Sequence, residues 1–178
     1  MWLALMMTAT AAVDLTPSVY QQELDGTKVS DLMFRDGQQK ILYRCPAGWS
    51  FSGGGSQLSL YTSFPLTTVE IRRLDVAEAV TFDGERLDAM KSAVLGMVPR
   101  EAADVNVEFE QKNPLMINRN ETFEVQLAYR CNGCAYRMNV LFLNLGRSQI
   151  SFKVLARRDD FDKVMRPFRA SLFSWQWL

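Results

Sequence analysis

The chain predicts an α+β fold: an antiparallel β-sheet with two main helices packed on it. Three observations carry that expectation. Residues 122–142, TFEVQLAYRCNGCAYRMNVLF, fold back on themselves about Asn132-Gly133 with matching arms. Two stretches, 84–98 and 159–173, place apolar residues at helical spacing. Around them lie short alternating runs punctuated by glycine and proline, which read as strands.

The long hairpin is the best specified element. Asn-Gly supplies the two consecutive positive-φ residues that a type I′ turn demands. Counting outward pairs Cys131 with Cys134, Tyr129 with Tyr136, Leu127 with Met138, Val125 with Val140 and Phe123 with Phe142. Side chains alternate along a strand, so these pairs share one apolar face. The other face is mostly polar, with Glu124 near Leu141, Gln126 near Asn139, Ala128 near Arg137 and Arg130 near Ala135. A slip of one residue would turn the apolar set outward, so the register is strongly specified.

The remaining elements follow in order. VSDLMFRDGQQKILYR reads as a second hairpin with Asp36-Gly37 at its turn and Leu32 opposite Ile41. Pro46 and Gly48 break the strand, Trp49 and Phe51 restart one, and Gly53-Gly54-Gly55 makes a loop. Residues 57–62 and 67–74 are further short strands. The first helix is expected over 84–98, capped by Asp83 and ended by Pro99, with Leu87, Met90, Val94 and Met97 on one stripe. Residues 105–110 alternate, which places Val105, Val107 and Phe109 on one face. A strand over 149–155 follows the main hairpin. The last helix, 159–173, buries Phe161, Val164, Met165, Phe168 and Leu172. Asp162 and Arg166 stand on its wet side, and Pro167 inside it should delete one backbone bond and bend it.

Length and composition bound the function. The 178 residues suit one domain with a real core. Twenty basic residues balance twenty acidic ones, a poor basis for neutralising phosphates, so no nucleic-acid partner is expected. Histidine is absent, which excludes Ser-His and Cys-His pairs, His-ligated metals and a histidine pH switch. Residues 1–12 form an apolar run ending in small residues. Ala9-Thr10-Ala11 has the form of a signal-peptidase site, although a basic leading region is missing. The run is too short to span a bilayer, and a buried helical turn is the alternative. The expected layout is a signal peptide or its remnant over 1–12, a leader over 13–27 and one α+β domain over 28–178. The mature chain would be exported, without a stable membrane span, into an oxidising space.

A family resemblance rests on Tyr43-Arg44-Cys45-Pro46-Ala47-Gly48-Trp49, which is similar to the Y-x-x-P-x-G-W strand break early in PsbP-like domains. Those domains share a fold with the Ran-binding Mog proteins and with bacterial DcrB-like lipoproteins. The closing pattern, Phe161, Phe168, Ser171-Leu172 and Ser174-Trp175, resembles the final amphipathic helix of that fold. The resemblance spans 29–177 and implies binding and assembly roles rather than catalysis: docking onto a photosystem, a small GTPase or an envelope component.

Cys131-Asn132-Gly133-Cys134 is the sharpest chemical signal. It straddles a β-turn, so no helix dipole lowers a thiolate pKa there. A zinc site wants four ligands, and only Cys45 remains. The readings are a structural disulfide or buried thiols, a redox pair, or a metal or inter-chain contact, with Cys45 an alternative partner for either thiol. Ser52-Gly53-Gly54-Gly55-Ser56 lacks the ending of a phosphate loop and reads as a plain turn. Asn120-Glu121-Thr122 fits a glycosylation acceptor, relevant only in a eukaryotic secretory route. Trp175 and Trp177 either pack the last helix or face a partner. Arg157-Arg158 and Arg72-Arg73 are solvated strand ends or a joint patch for an anionic partner. Asp159-Asp160 is explained by helix capping and the macrodipole.

No catalytic residue, cofactor or metal is expected. The leading expectation is an exported, non-enzymatic binding or accessory domain of the cell envelope or secreted space, with a protein partner of unknown identity. The runner-up is a thiol-disulfide redox protein or sensor using Cys131 and Cys134. A third is a carrier of a small hydrophobic ligand, with Met90, Met97, Met116, Met138 and Met165 lining its cavity.

Overall fold

The computed structural model describes residues 12–24, 26–76, 81–146 and 148–178; the expected signal segment over 1–12 lies almost wholly outside them. Two antiparallel sheets form the domain. The smaller has the order β1-β2-β3-β11, from β1 (Val13–Leu24), β2 (Thr27–Asp36), β3 (Gln39–Tyr43) and β11 (Gln176–Trp177). The larger has the order β4-β5-β6-β10-β9-β8-β7, from β4 (Ser50–Gly54), β5 (Gln57–Tyr61), β6 (Thr68–Asp75), β7 (Ala103–Lys112), β8 (Thr122–Cys131), β9 (Cys134–Asn144) and β10 (Ser148–Arg157). The two helices are α1 (Gly84–Leu95) and α2 (Arg158–Leu172).

The β8–β9 hairpin has the expected register throughout, from Phe123 opposite Phe142 to Cys131 opposite Cys134. Its turn works because Asn132 and Gly133 both take positive φ, at 48° and 75°. The apolar face packs under α1, where Val94 and Phe82 join Phe123, Val125, Leu127, Tyr129, Met138, Val140 and Phe142 in one core. The mostly polar face is not left to water. α2 covers the half away from the turn, where Glu124, Asn139 and Leu141 are buried, while Arg130 beside the turn stays exposed. A second core fills the space between that face, the smaller sheet and α2, joining Phe34, Ile41 and Tyr43 to Ile71, Phe152, Phe161, Phe168 and Trp175.

Several expectations need correction. The leader over 13–27 is a twelve-residue strand. Val13 and Leu15 anchor its first half in the core, and Pro17 is tolerated because it falls on an edge strand at a register shift. In the β2–β3 hairpin Leu32 faces Tyr43, and Ile41 faces Phe34. The turn centre is Gly37-Gln38, not Asp36-Gly37: a shift of two residues, which preserves every face. Gly53 and Gly54 belong to β4, leaving Gly55-Ser56 as the turn. Phe109 does not share a face with Val107, because an extra residue in β7 places Val107 opposite Leu127 and Phe109 opposite Gln126. α1 ends at Leu95; single turns through Gly96 and Met97 replace its last helical turn, and Met97 swings out to solvent. Asp83 holds the N-cap position through its carbonyl oxygen, which accepts from the backbone of Arg86 and Leu87, and makes no side-chain cap bond.

Candidate functional site

The hairpin tip brings Cys131 and Cys134 together on the α1 face, beneath the stacked rings of Tyr129 and Tyr136, whose centroids are 5.6 Å apart. Cys131 is buried, and its Sγ lies 4.0 Å from Glu101 Oε1; Cys134 is half-buried. Cys45 packs instead against the other core. No disulfide joins the three in this structure. Burial pushes the Cys45 thiol up to about 11, so it is protonated and unreactive near neutrality.

The terminal aromatics divide. Trp175 is enclosed and offers a partner no surface. It sits edge-on to Phe152 at 5.3 Å and tilted against Phe34 and Tyr43 at 5.4 Å each. Trp177 is half-buried and donates its indole N–H to Asp36 Oδ2 at 2.9 Å. Arg157 and Arg158 are exposed. They do not join Arg72-Arg73, which face Ser151 and Ile150 at the other end of β10, about 20 Å away at strand rise. The methionines do not line one cavity: Met138 and Met165 are buried in different cores, and Met116 and Met97 are exposed.

The residues carrying the family resemblance meet in space. Ser171 Oγ donates to the Phe168 carbonyl at 2.6 Å, so its oxygen must accept from the Tyr43 hydroxyl at 2.9 Å. Burial raises the Tyr43 pKa far above its ordinary value, keeping that donor neutral. Ser174 Oγ accepts the Arg44 backbone N–H at 2.8 Å and donates to Ser171 O at 2.6 Å. Trp49 lies parallel to Phe168 at 6.4 Å. Together these contacts lock the end of α2 onto β3.

Beside that lock opens a groove of about 820 Å³, on the outer face of the smaller sheet. Its floor is Asp31, Leu42 and Arg44, and its walls come from β1 through Tyr20 and Gln22 and from the end of α2 through Pro167, Ala170 and Phe173. Asp31 is buried with its charge satisfied: Arg44 Nε and Nη2 reach its two oxygens at 2.7 and 3.1 Å, and Gln22 donates to Oδ2 at 2.8 Å. The rim is apolar and wet, with Phe173 68% and Leu178 62% exposed. Nothing in the sequence reading singled out this groove. The available signal was Asp31 on β2 and Arg44 just past the end of β3, thirteen apart.

The architecture is an α+β fold, and that fold resembles the PsbP one. No protein-family model matches the chain, and no curated protein does. Among solved structures, it is similar to the cyanobacterial PsbP (CyanoP) of Synechocystis sp. PCC 6803. That match has a TM-score of 0.50 and 10% identity, over 90% of this chain and 93% of that one. A Pseudomonas aeruginosa protein of unknown function, PA94, aligns with a TM-score of 0.48 and 9% identity, over 89% of this chain and 94% of that one. At such identity the likeness to PsbP is one of fold.

Proposed function

We propose that this chain is a non-enzymatic binding domain, exported to the cell envelope or secreted space, that docks a protein partner in the groove beside α2. The carrying observation is the groove's composition. Its floor charges are already paired with one another, its thiol is held protonated, and its rim exposes Phe173, Leu178 and Tyr20. Such a surface offers burial of apolar area with satisfied polar groups around it, the anatomy of a recognition site. The export half of the reading is supported by the sequence of residues 1–12.

The test is photo-crosslinking in the native cell, with a reactive residue substituted at Phe173 or Ala47 and, as control, at the exposed Met116, which does not line the groove. A discrete protein adduct from the groove positions, absent from the control and weakened by Leu178→Asp on the exposed rim, supports the reading. Equal adducts from all positions, or none from the groove, would refute it. Fractionation of the same cells must place the chain outside the cytoplasm.

A second reading gives the domain a thiol-disulfide couple. The direct opposition of Cys131 and Cys134 favours it. Titration against buffered dithiol potentials decides: a couple below about −300 mV is structural rather than redox-active.

A further inference from the structure

We propose that two copies of this chain associate through the outer edge of β1, residues 18–24, joining their smaller sheets into one. The inference does not depend on what the groove holds.

Two open antiparallel sheets present four edges, and three are poor templates for strand addition. β7 carries two register shifts and the charges of Asp104, Glu108, Glu110 and Lys112, devices that keep an edge from pairing. β4 has five residues, with Gly53 held at φ 124°, and only its Gly54 end lies against β1, where Leu15 N–H donates to Gly55 O at 2.8 Å and Gly55 N–H to Thr16 Oγ1 at 2.9 Å; so short an edge is a weak template. β11 has only two residues. The second half of β1 differs. It pairs with β2 in unbroken register from Ser18 to Leu24, carries Glu23 as its one charge, and among the described residues has no strand on its far side.

The register says which groups are unmet. Leu24 and Thr27 flank a two-residue connection, so they form a hydrogen-bonded pair, and every second pair beyond them does too. Tyr20 and Gln22 therefore spend their backbone groups on β2. Val19, Gln21 and Glu23 point theirs outward. Both faces of this strand expose apolar area, Val19 at 60% on one and Tyr20 at 39% on the other.

A second copy fits this edge because the edge is self-complementary. With the two-fold axis at Gln21, Gln21 meets Gln21 of the partner subunit, and Glu23 meets Val19 of the partner subunit. The outward groups then pair reciprocally, in about six backbone hydrogen bonds. No like charges oppose. Pro17, which has no N–H, ends the pairing stretch on one side. Tyr20 of the partner subunit extends the apolar rim of the groove. A seven-residue strand pair buries little area for an obligate dimer, so the association is reversible.

Sedimentation velocity on the full chain, from low micromolar to several hundred micromolar, tests it. The expected result is a rise in mass from one chain to two. Gln21→Pro removes the central outward N–H and leaves the β2 pairing intact; it should weaken association about tenfold or more. Val19→Lys, which keeps the backbone, should act in the same direction. Amide exchange at Val19, Gln21 and Glu23 should slow with concentration, while that at Tyr20 and Gln22 does not change. A wild-type chain that stays monomeric throughout overturns the proposal. So does association unchanged by both substitutions, or concentration-independent exchange at the three outward amides.

Discussion

Removing the guanidinium of Arg169 should loosen α2 from the sheet by a measurable amount. Arg169 reaches down from α2 and grips Glu124 with both arms, Nη1 to Oε1 at 2.8 Å and Nη2 to Oε2 at 2.9 Å. Asn139 Nδ2 adds a third donor at 2.8 Å. The Glu124 side chain is 1% exposed and that of Arg169 33%. Arg169→Met keeps most of the stem and leaves a buried carboxylate with Asn139 alone. Breaking a fully buried pair costs about 3–5 kcal/mol. Water reaching the vacated, one-third-open position should reduce that to about 2–3 kcal/mol. For a chain of this size that lowers Tm by about 4–12 °C.

Urea denaturation followed by tryptophan fluorescence is the assay, since enclosed Trp175 reports the core beneath α2. Glu124→Gln should cost less, because Arg169 is left at a place where water reaches it. The double variant should cost clearly less than the sum of the two, with a coupling of about 1–2 kcal/mol. An Arg169→Met cost below about 0.5 kcal/mol, or strict additivity, would refute the claim that this pair pins the helix.

Glu108 supplies a pH test. Burial alone would raise its pKa, but hydrogen bonds from Gln126 and Arg137, with the charges of Arg137 and Arg158, outweigh that and hold it below its ordinary 4.5. A depressed native value stabilises the fold above the unfolded pKa. The advantage of wild type over Glu108→Gln should thus be full above about pH 5 and vanish as pH falls through the native value; an advantage that grows on acidification would contradict it. Cys45 alkylation, read by mass spectrometry, should accelerate about tenfold per pH unit past neutrality and level off only near pH 11. A plateau at ordinary thiol values would show the burial to be wrong. Gly53 holds φ at 124°, and a Cβ there would run into the Gln57 carbonyl oxygen, whereas Gly55 at φ 63° faces open space. Gly55→Ala should cost about 1–2 kcal/mol and Gly53→Ala distinctly more in thermal unfolding; equal costs would argue against the tight β4–β5 approach.

The parts of the fold that were legible in sequence are those where local chemistry and side-chain alternation agree. Asn132-Gly133 and ten matched positions on one face leave a single register for β8–β9. The register of β2–β3 was missed by two residues because Asp36-Gly37 is a good turn pair, yet Gly37-Gln38 puts Phe34 and Ile41 opposite each other in the core. β1 was passed over because most of it is polar; an edge strand wet on both faces shows no amphipathic pattern. Its signal lay at Asp25-Gly26, another strong hairpin pair. The turn of Phe109 away from Val107 comes from an added residue in β7, which no alternation count anticipates.

The groove was illegible for a different reason. Its walls come from chain segments joined by contacts such as Tyr43 to Ser171, 128 residues apart. The same contact explains why the family resemblance concerns architecture. Tyr43, Ser171 and Ser174 spend their hydroxyls within the lock, while the rings of Trp175 and Trp49 pack on Tyr43 and Phe168, fastening α2 to β3. Side chains so committed preserve a shape and have little left for a ligand. On the proposed reading, recognition falls to their exposed neighbours Tyr20, Phe173 and Leu178. Substitutions in the lock should therefore lower stability and binding together. Substitutions on the rim should change binding alone.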